Sequence, residues 1–328
     1  MHFTRAIVKT TVAVLSLTVV ACAAHADPFP KPGKPIRIVV PFAAGGPTDT
    51  QARIVSLELG KVTGATVVVE NKPGASGIIG TQEVMRADPD GHTLLYISDG
   101  VMTQNPHTLK SATYDPFTQF VPIARVAQGG TALVVHKSVP ARTPQELIAY
   151  AKANPGKISF ASFGAGTVSH IYGEVLKAEY GVDIQHVPYK GSADALKDLL
   201  SGRVQIMFDS PATTIQYVKD GRIVMIGTAG EKRRTLLPET PTLLEQGLKG
   251  FELVGWNGMF GPAGMPPEVL KGVQEAMAKV TKTKAVADVL NANYFEVINE
   301  TPDEFARILR RDYDRWGQYV KKAGIMPE

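Results

Sequence analysis

Short apolar runs alternate along this chain with stretches whose apolar positions recur at helical spacing. Residues 36–42 (IRIVVPF) form the first run, and 48–61 follow with a helical period. Residues 66–70 predict a strand, 77–86 a helix and 93–98 another strand. A second series begins at 131–136 (TALVVH). Thr143-Pro144-Gln145-Glu146 then carries a capping box with proline at the first helical position, opening a helix that runs to 153. Strand 158–163, helix 169–180, strand 184–188, helix 193–200 and strand 204–208 continue the alternation. Such a βα repeat predicts parallel sheets covered by helices on both faces.

The last quarter of the chain reads differently. Residues 251–260 predict one extended strand, and the remainder is mostly helical. Thr301-Pro302-Asp303-Glu304 repeats the capping pattern, and Phe305, Ile308, Leu309, Trp316 and Val320 then keep one face apolar. That helix is expected to pack on a sheet. Two βα series joined by single crossing strands predict two lobes and a hinge, with crossings near 126–134 and 252–259. The first lobe then takes 27–130 and 255–328, and the second takes 131–254. No repeat of solenoid length is present.

The N-terminus changes the picture by adding a destination. Arg5 and Lys9 precede an apolar run over 11–24, and Ala24-His25-Ala26 offers small residues at the positions a signal peptidase reads. The run falls short of the roughly 20 residues needed to cross a bilayer. A cleaved signal over 1–26 predicts a periplasmic protein; Val19-Val20-Ala21-Cys22 loosely resembles a lipidation site and is the competing reading. Cleavage removes Arg5 and Lys9 and no acid, which lowers the net charge of +4 by two and leaves the chain without cysteine, since Cys22 is its single one. A near-neutral chain without a basic cluster gives no basis for nucleic-acid binding.

Candidate chemistry lies in Gly-rich turns between a strand and the next helix. Phe42, Ala43, Ala44, Gly45 and Gly46 lead into Asp49; Ala75, Ser76 and Gly77 lead into the helix of Gly80. Gly164-Ala165-Gly166-Thr167 leads into Ser169 and His170, and Tyr189-Lys190-Gly191 leads into the helix of Leu196. Small residues let a ligand approach the backbone, and free N–H groups at helix starts favour an anion. In open α/β sheets such turns gather at the carboxyl edge of the strands. Two turns from each lobe, facing each other, predict a cleft for a molecule with acidic groups. Asp49 reads as a helix cap or a ligand contact, and His170 as a helix-start residue or a cleft residue. Asp209, at a strand end, either meets a ligand amine or caps the segment after it.

Enzyme and cofactor patterns are absent from the sequence. Gly-Ala-Ser76-Gly lacks the nucleophile-elbow spacing, and Ser169 and His170 are neighbours whose side chains diverge by about 100° on a helix. Gly164 to Ser169 resembles a degraded dinucleotide fingerprint, but no acid ends the next strand. The seven histidines show no metal-ligand spacing, so neither cofactor nor metal is expected.

Taken in order, these motifs resemble the Bug-type extracytoplasmic solute receptors of tripartite tricarboxylate transporters. The resemblance spans almost the whole mature chain. It runs from Lys34-Pro35-Ile36-Arg37 and Pro41 to Gly46 through Asn71-Lys72-Pro73-Gly74, Asp90-Gly91-His92, Tyr114-Asp115-Pro116 and Gly164 to Thr167 with His170. It continues through Tyr189-Lys190-Gly191, Phe208-Asp209, Arg233, Pro241-Thr242 with Glu245, and Trp256 with Gly258. The resemblance implies a monomeric Venus-flytrap protein that closes on a small carboxylate and delivers it to a membrane permease. It also implies that backbone amides and hydroxyls of 42–46, 75–77 and 166–167 hold the ligand. Asp194 departs from the family's usual proline and leaves the ligand open. A sensor presenting the same acid to a membrane protein, or a secreted hydrolase, are the competing classes.

Overall fold

The computed structural model describes residues 29–327, so the expected signal segment and Cys22 lie outside the described residues. The chain begins with β1 (Ile36–Val40), α1 (Pro47–Thr63), β2 (Val67–Asn71), a 3-10 turn (Ala75–Gly77), α2 (Ile78–Met85) and β3 (Thr93–Ser98). Two short helices, α3 (Asp99–Thr103) and α4 (Asn105–Thr108), lead to β4 (Phe120–Gln128). The second series starts with β5 (Ala132–His136), α5 (Pro144–Ala153), β6 (Ile158–Ser162), α6 (Val168–Tyr180) and β7 (Ile184–Pro188). It continues with α7 (Ser192–Ser201), β8 (Ile206–Asp209), α8 (Pro211–Lys219) and β9 (Ile223–Thr228). The remaining elements are β10 (Trp256–Pro262), α9 (Pro267–Val280), α10 (Lys284–Ala292), β11 (Glu296–Val297) and α11 (Pro302–Lys322).

The strands form a six-stranded sheet, β11-β4-β10-β3-β1-β2, and a five-stranded one, β7-β6-β8-β5-β9. This is the expected two-lobed α/β architecture, with one change: the sheets are mixed rather than mainly parallel. β1 is parallel to β2 and β3, while β10 is antiparallel to β3 and β4. In the second sheet β6 is parallel to β7 and β8, while β5 is antiparallel to β8 and β9. The cause is topological. β5 and β10 each enter their sheet from a crossing, so they run away from the gap while their neighbours run towards it.

Burial follows the two-residue period of a strand. Ile36, Ile38, Leu94 and Tyr96 face one core of the first sheet, while Val39, Leu95 and Ile97 face the core on its other side. Leu133, Val135 and Phe208 are divided in the same way from Ala132, Val134 and Met207 in the second sheet. Both capping boxes form, Thr143 with Glu146 and Thr301 with Glu304.

The chain leaves the first sheet after Gln128 and returns to it at Trp256. The two crossings touch: Gly129 N–H donates to Gly255 O at 2.8 Å. The extended strand expected over 251–260 is shorter and begins only at Trp256. Phe251 and Leu253 lie outside it because their side chains are buried in the core of the second sheet. α11 packs on both units. Phe305 and Leu309 join the first sheet's core, where Phe305 meets Trp256 edge-on at 5.0 Å. Further along, Trp316 and Val320 join the second sheet's core, with the Trp316 ring 5.3 Å from that of Tyr172. Burying each large side chain is worth roughly 1.5–3 kcal/mol, so one helix ties two cores together.

Candidate functional site

A cavity of about 580 Å³ opens between the two sheets at the carboxyl ends of their strands. Three groups of residues wall it. Phe42, Thr48 and Ser76 come from the turns of the first lobe, with Ser98, Asp99 and Asn105 from the segment after β3. Gly129, Gly130, Gly255 and Trp256 come from the crossings. Ala165, Gly166, Thr167, Lys190, Asp209 and Ser210 come from the second lobe.

The first turn is braced from behind. Asp49 is 2% exposed and does not face the cavity. Its carboxylate accepts from Gly45 N–H at 2.8 Å, Arg53 Nε at 2.9 Å and Asn71 Nδ2 at 2.9 Å, and Asn71 also donates to Phe42 O at 3.1 Å. Burial opposes ionisation, yet the bonds from Arg53, Gly45 and Asn71 outweigh it and hold the Asp49 carboxyl below the usual range. Its role is to fix the turn that carries Phe42, Ala43, Ala44, Gly45 and Gly46 against the end of β2. Of these five, Phe42 lines the cavity. Gly46 is the N-cap of α1 and supplies no side-chain cap, and Thr48 in the first turn of that helix faces the gap.

The second turn is left-handed throughout. Ala75 and Ser76 hold φ of 46° and 53°, and Gly77 follows at 92°. Non-glycine residues there cost of order 1 kcal/mol each, a strain that places Ser76 on the cavity wall. Asn105 Nδ2 clamps it by donating to Ser76 O at 2.9 Å. Ala75 and Gly77 do not line the cavity. A Cβ on Gly77 would meet Val101 Cγ2 at 3.0 Å, so glycine is spared there for packing and backbone conformation rather than for ligand approach.

The second lobe repeats the scheme. Thr167 is the N-cap of α6 without a side-chain cap, because its Oγ1 donates to Gly164 O at 2.6 Å. Gly166 and Thr167 line the cavity, and Gly166 N–H donates to His170 Nδ1 at 3.0 Å. His170 lies behind the wall. Its ring stacks on His186 at 4.1 Å and 11°, and His186 stacks on Phe160 at 4.8 Å and 18°. Burial, then His170 and Lys177, push the His186 pKa down to about 4, so the His186 ring is uncharged at neutral pH. His170, Glu174 and His186 bring potential metal-ligand atoms within 4.8 Å of one another. Near-parallel rings keep their in-plane lone pairs from converging, and Gly166 occupies His170 Nδ1, so the group is arranged as a stack that supports the turn.

Asp209 reaches the cavity wall at the end of β8, 3% exposed. It accepts from Ser192 Oγ at 2.5 Å, Thr213 Oγ1 at 2.9 Å and Ser210 N–H at 2.8 Å, which ties α7 to α8. Burial raises its pKa against those bonds. Asp194 faces a separate shallow surface pocket with Tyr189 and Lys197. Sequence reasoning passes over 98–109 and the hinge glycines. The available signal is Gly100 and Asn105-Pro106 just past a predicted strand end.

Chemically, two helices of ordinary length start at opposite walls of this cavity, and neither has a side-chain cap. Their first N–H groups and dipoles favour a negative group, each by roughly 0.3–2 kcal/mol.

Similar proteins have this architecture. The chain is 38% identical over 325 residues to a Cupriavidus necator protein described as the UPF0065 protein in the gbd 5' region, covering 99% of this chain and 98% of that one. The periplasmic binding protein BugD superposes with a TM-score of 0.76 at 35% identity, covering 90% of this chain and all of its own. The R. palustris protein Rpa4515, solved with adipate, gives 0.79 at 31% identity, covering 90% and 99%. The sequence model described as the Tripartite tricarboxylate transporter family receptor matches residues 51–325. With two sheets, two crossings and opposed helix starts of this kind, the chain belongs to the tripartite tricarboxylate transporter receptor family.

Proposed function

We propose that this chain is a periplasmic receptor that closes its lobes on a small carboxylated molecule and delivers it, unchanged and as a monomer, to permease subunits of the tripartite tricarboxylate type. The observation that carries the reading is the pair of uncapped helix starts, α1 and α6, on opposite sides of one cavity. The adipate in Rpa4515 supports a carboxylate as the class of ligand. The first free amides of α1 and α6, with the hydroxyls of Thr48 and Ser76, grip an acid group with no fixed cation, and exposed Lys190 stands at the rim.

Closure is driven by whatever part of the ligand's affinity exists only when both half-sites meet. The crossing segments at 129–131 and 253–255 absorb the motion. A thermal-shift screen of di-, tri- and monocarboxylic acids tests the reading. A saturable rise in melting temperature with one-to-one stoichiometry, and a ligand recovered intact by mass spectrometry, is the expected result. Turnover of the bound acid, or no response to any carboxylate, refutes it.

A further inference from the structure

Asp99 stands on the cavity wall where β3 passes into α3, beside the crossing segments. A Cβ on Gly255 would lie 3.5 Å from Asp99 Oδ1, and the backbone amides of Trp256 and Gly100 face the carboxyl. Of the other acids close to the cleft, Asp49 has Arg53 and Asp312 has Arg311, while Asp209 has no cation among the described residues but spends its carboxylate on two hydroxyls and an amide that tie α7 to α8. Among the described residues Asp99 forms no salt bridge with any Lys, Arg or His. Its nearest charged influence is Asp312 of α11, and Tyr172 of α6 also lies within electrostatic reach. Burial, then Asp312, push its pKa up to about 7.

A purely structural role does not require this arrangement. Trp256 N–H and Gly100 N–H need an acceptor, which an amide side chain supplies without setting a second acid beside Asp312. A ligand that carries only negative charge would meet Asp99 as a like charge. A ligand ammonium would meet an acceptor with free lone pairs and no competing cation.

We propose that Asp99 is a cation subsite, so that the cavity selects an acid bearing an amine, an amino acid, over the plain acid of the same skeleton. The inference rests on the carboxylate-receptor reading: the acid group sits on the starts of α1 and α6, and the ammonium sits on Asp99 at the hinge. Placing a cation there also relieves the repulsion between Asp99 and Asp312 of α11, which couples ligand capture to the packing of that helix across both lobes.

The test is isothermal titration of the full protein with two pairs of acids that differ only by the amine, L-aspartate against succinate and L-glutamate against glutarate. The amine-bearing member of at least one pair should bind about tenfold tighter at pH 8, as a charge-assisted hydrogen bond supplies. The preference should grow from pH 6 to pH 8 as Asp99 ionises. Asp99→Asn should pull the ratio towards one by weakening the amino acid and strengthening the plain acid. The wild-type ratio and its pH dependence decide the matter even if that variant does not fold. Succinate or glutarate binding as well as its amine at pH 8, or a ratio that Asp99→Asn leaves intact, overturns the assignment of Asp99 and leaves the receptor reading standing. A folded protein that takes no carboxylic acid of either kind overturns both.

Discussion

Gly166 of the second lobe lies against Thr108 of the first, so closely that a Cβ on Gly166 would sit 2.8 Å from Thr108 Cβ. Gly166 also holds a left-handed φ of 72°. The two walls of the cavity meet here, at the residue whose amide is tied to His170. A glycine at this point lets the two walls come together, and in the proposed closure that approach completes the site.

Gly166→Ala should therefore weaken ligand binding more than it weakens the fold. Overpacking of roughly 1–3 kcal/mol against Thr108 falls on the closed form, which is about a 5- to 150-fold loss of affinity. Thr108→Gly in the same chain should recover part of that loss by relieving the clash. Titration calorimetry on the two variants measures it, and no recovery would mean that the backbone conformation alone is responsible.

Asp49→Ala should cost about 1–3 kcal/mol of stability by stranding the partners of its carboxylate, read from urea unfolding. The pH dependence has a definite sign. A carboxyl held below its unfolded value of 3.8 stabilises the fold above that value and loses its contribution as pH falls through the depressed one. The gap between wild type and Asp49→Ala should narrow below about pH 4.

The histidine stack loses stability in the same direction, but in a higher pH window. His186 is lowered from 6.5 to about 4, so the unfolded chain takes up its proton first as the medium is acidified. Stability attributable to the neutral ring is whole above pH 6.5 and declines towards pH 4. His186→Phe keeps an aromatic ring between Phe160 and His170, and its melting temperature should fall less than that of wild type across that window.

Trp316→Ala should destabilise by about 3–5 kcal/mol, as a cavity in the second sheet's core requires. Because Phe305, on the same helix, belongs to the first sheet's core, the variant should also separate a single calorimetric transition into two. One sharp transition in the variant would show that α11 does not couple the lobes.

Much of this is legible in the chain. The turn at Gly164 to Thr167 announces itself because small residues between an apolar run and a helical period have few other uses. Strand direction does not, since β5 and β10 carry the same apolar pattern whichever way they run. The segment from Asp99 to Thr108 escapes notice because helices of five and four residues are too short to show a period. Gly77 misleads for another reason: a glycine kept clear for Val101 looks the same in sequence as one kept clear for a ligand. Asp49 and His170 are recognisable as belonging to the turns, but only side-chain geometry separates a brace from a contact.

A crystal structure with the tightest-binding acid from the screen tests the account most directly. The account predicts a closed cleft with carboxylate oxygens at hydrogen-bond distance from main-chain amides at the starts of both α1 and α6. An acid held by Lys190 alone, or seated away from those two helix starts, would contradict it.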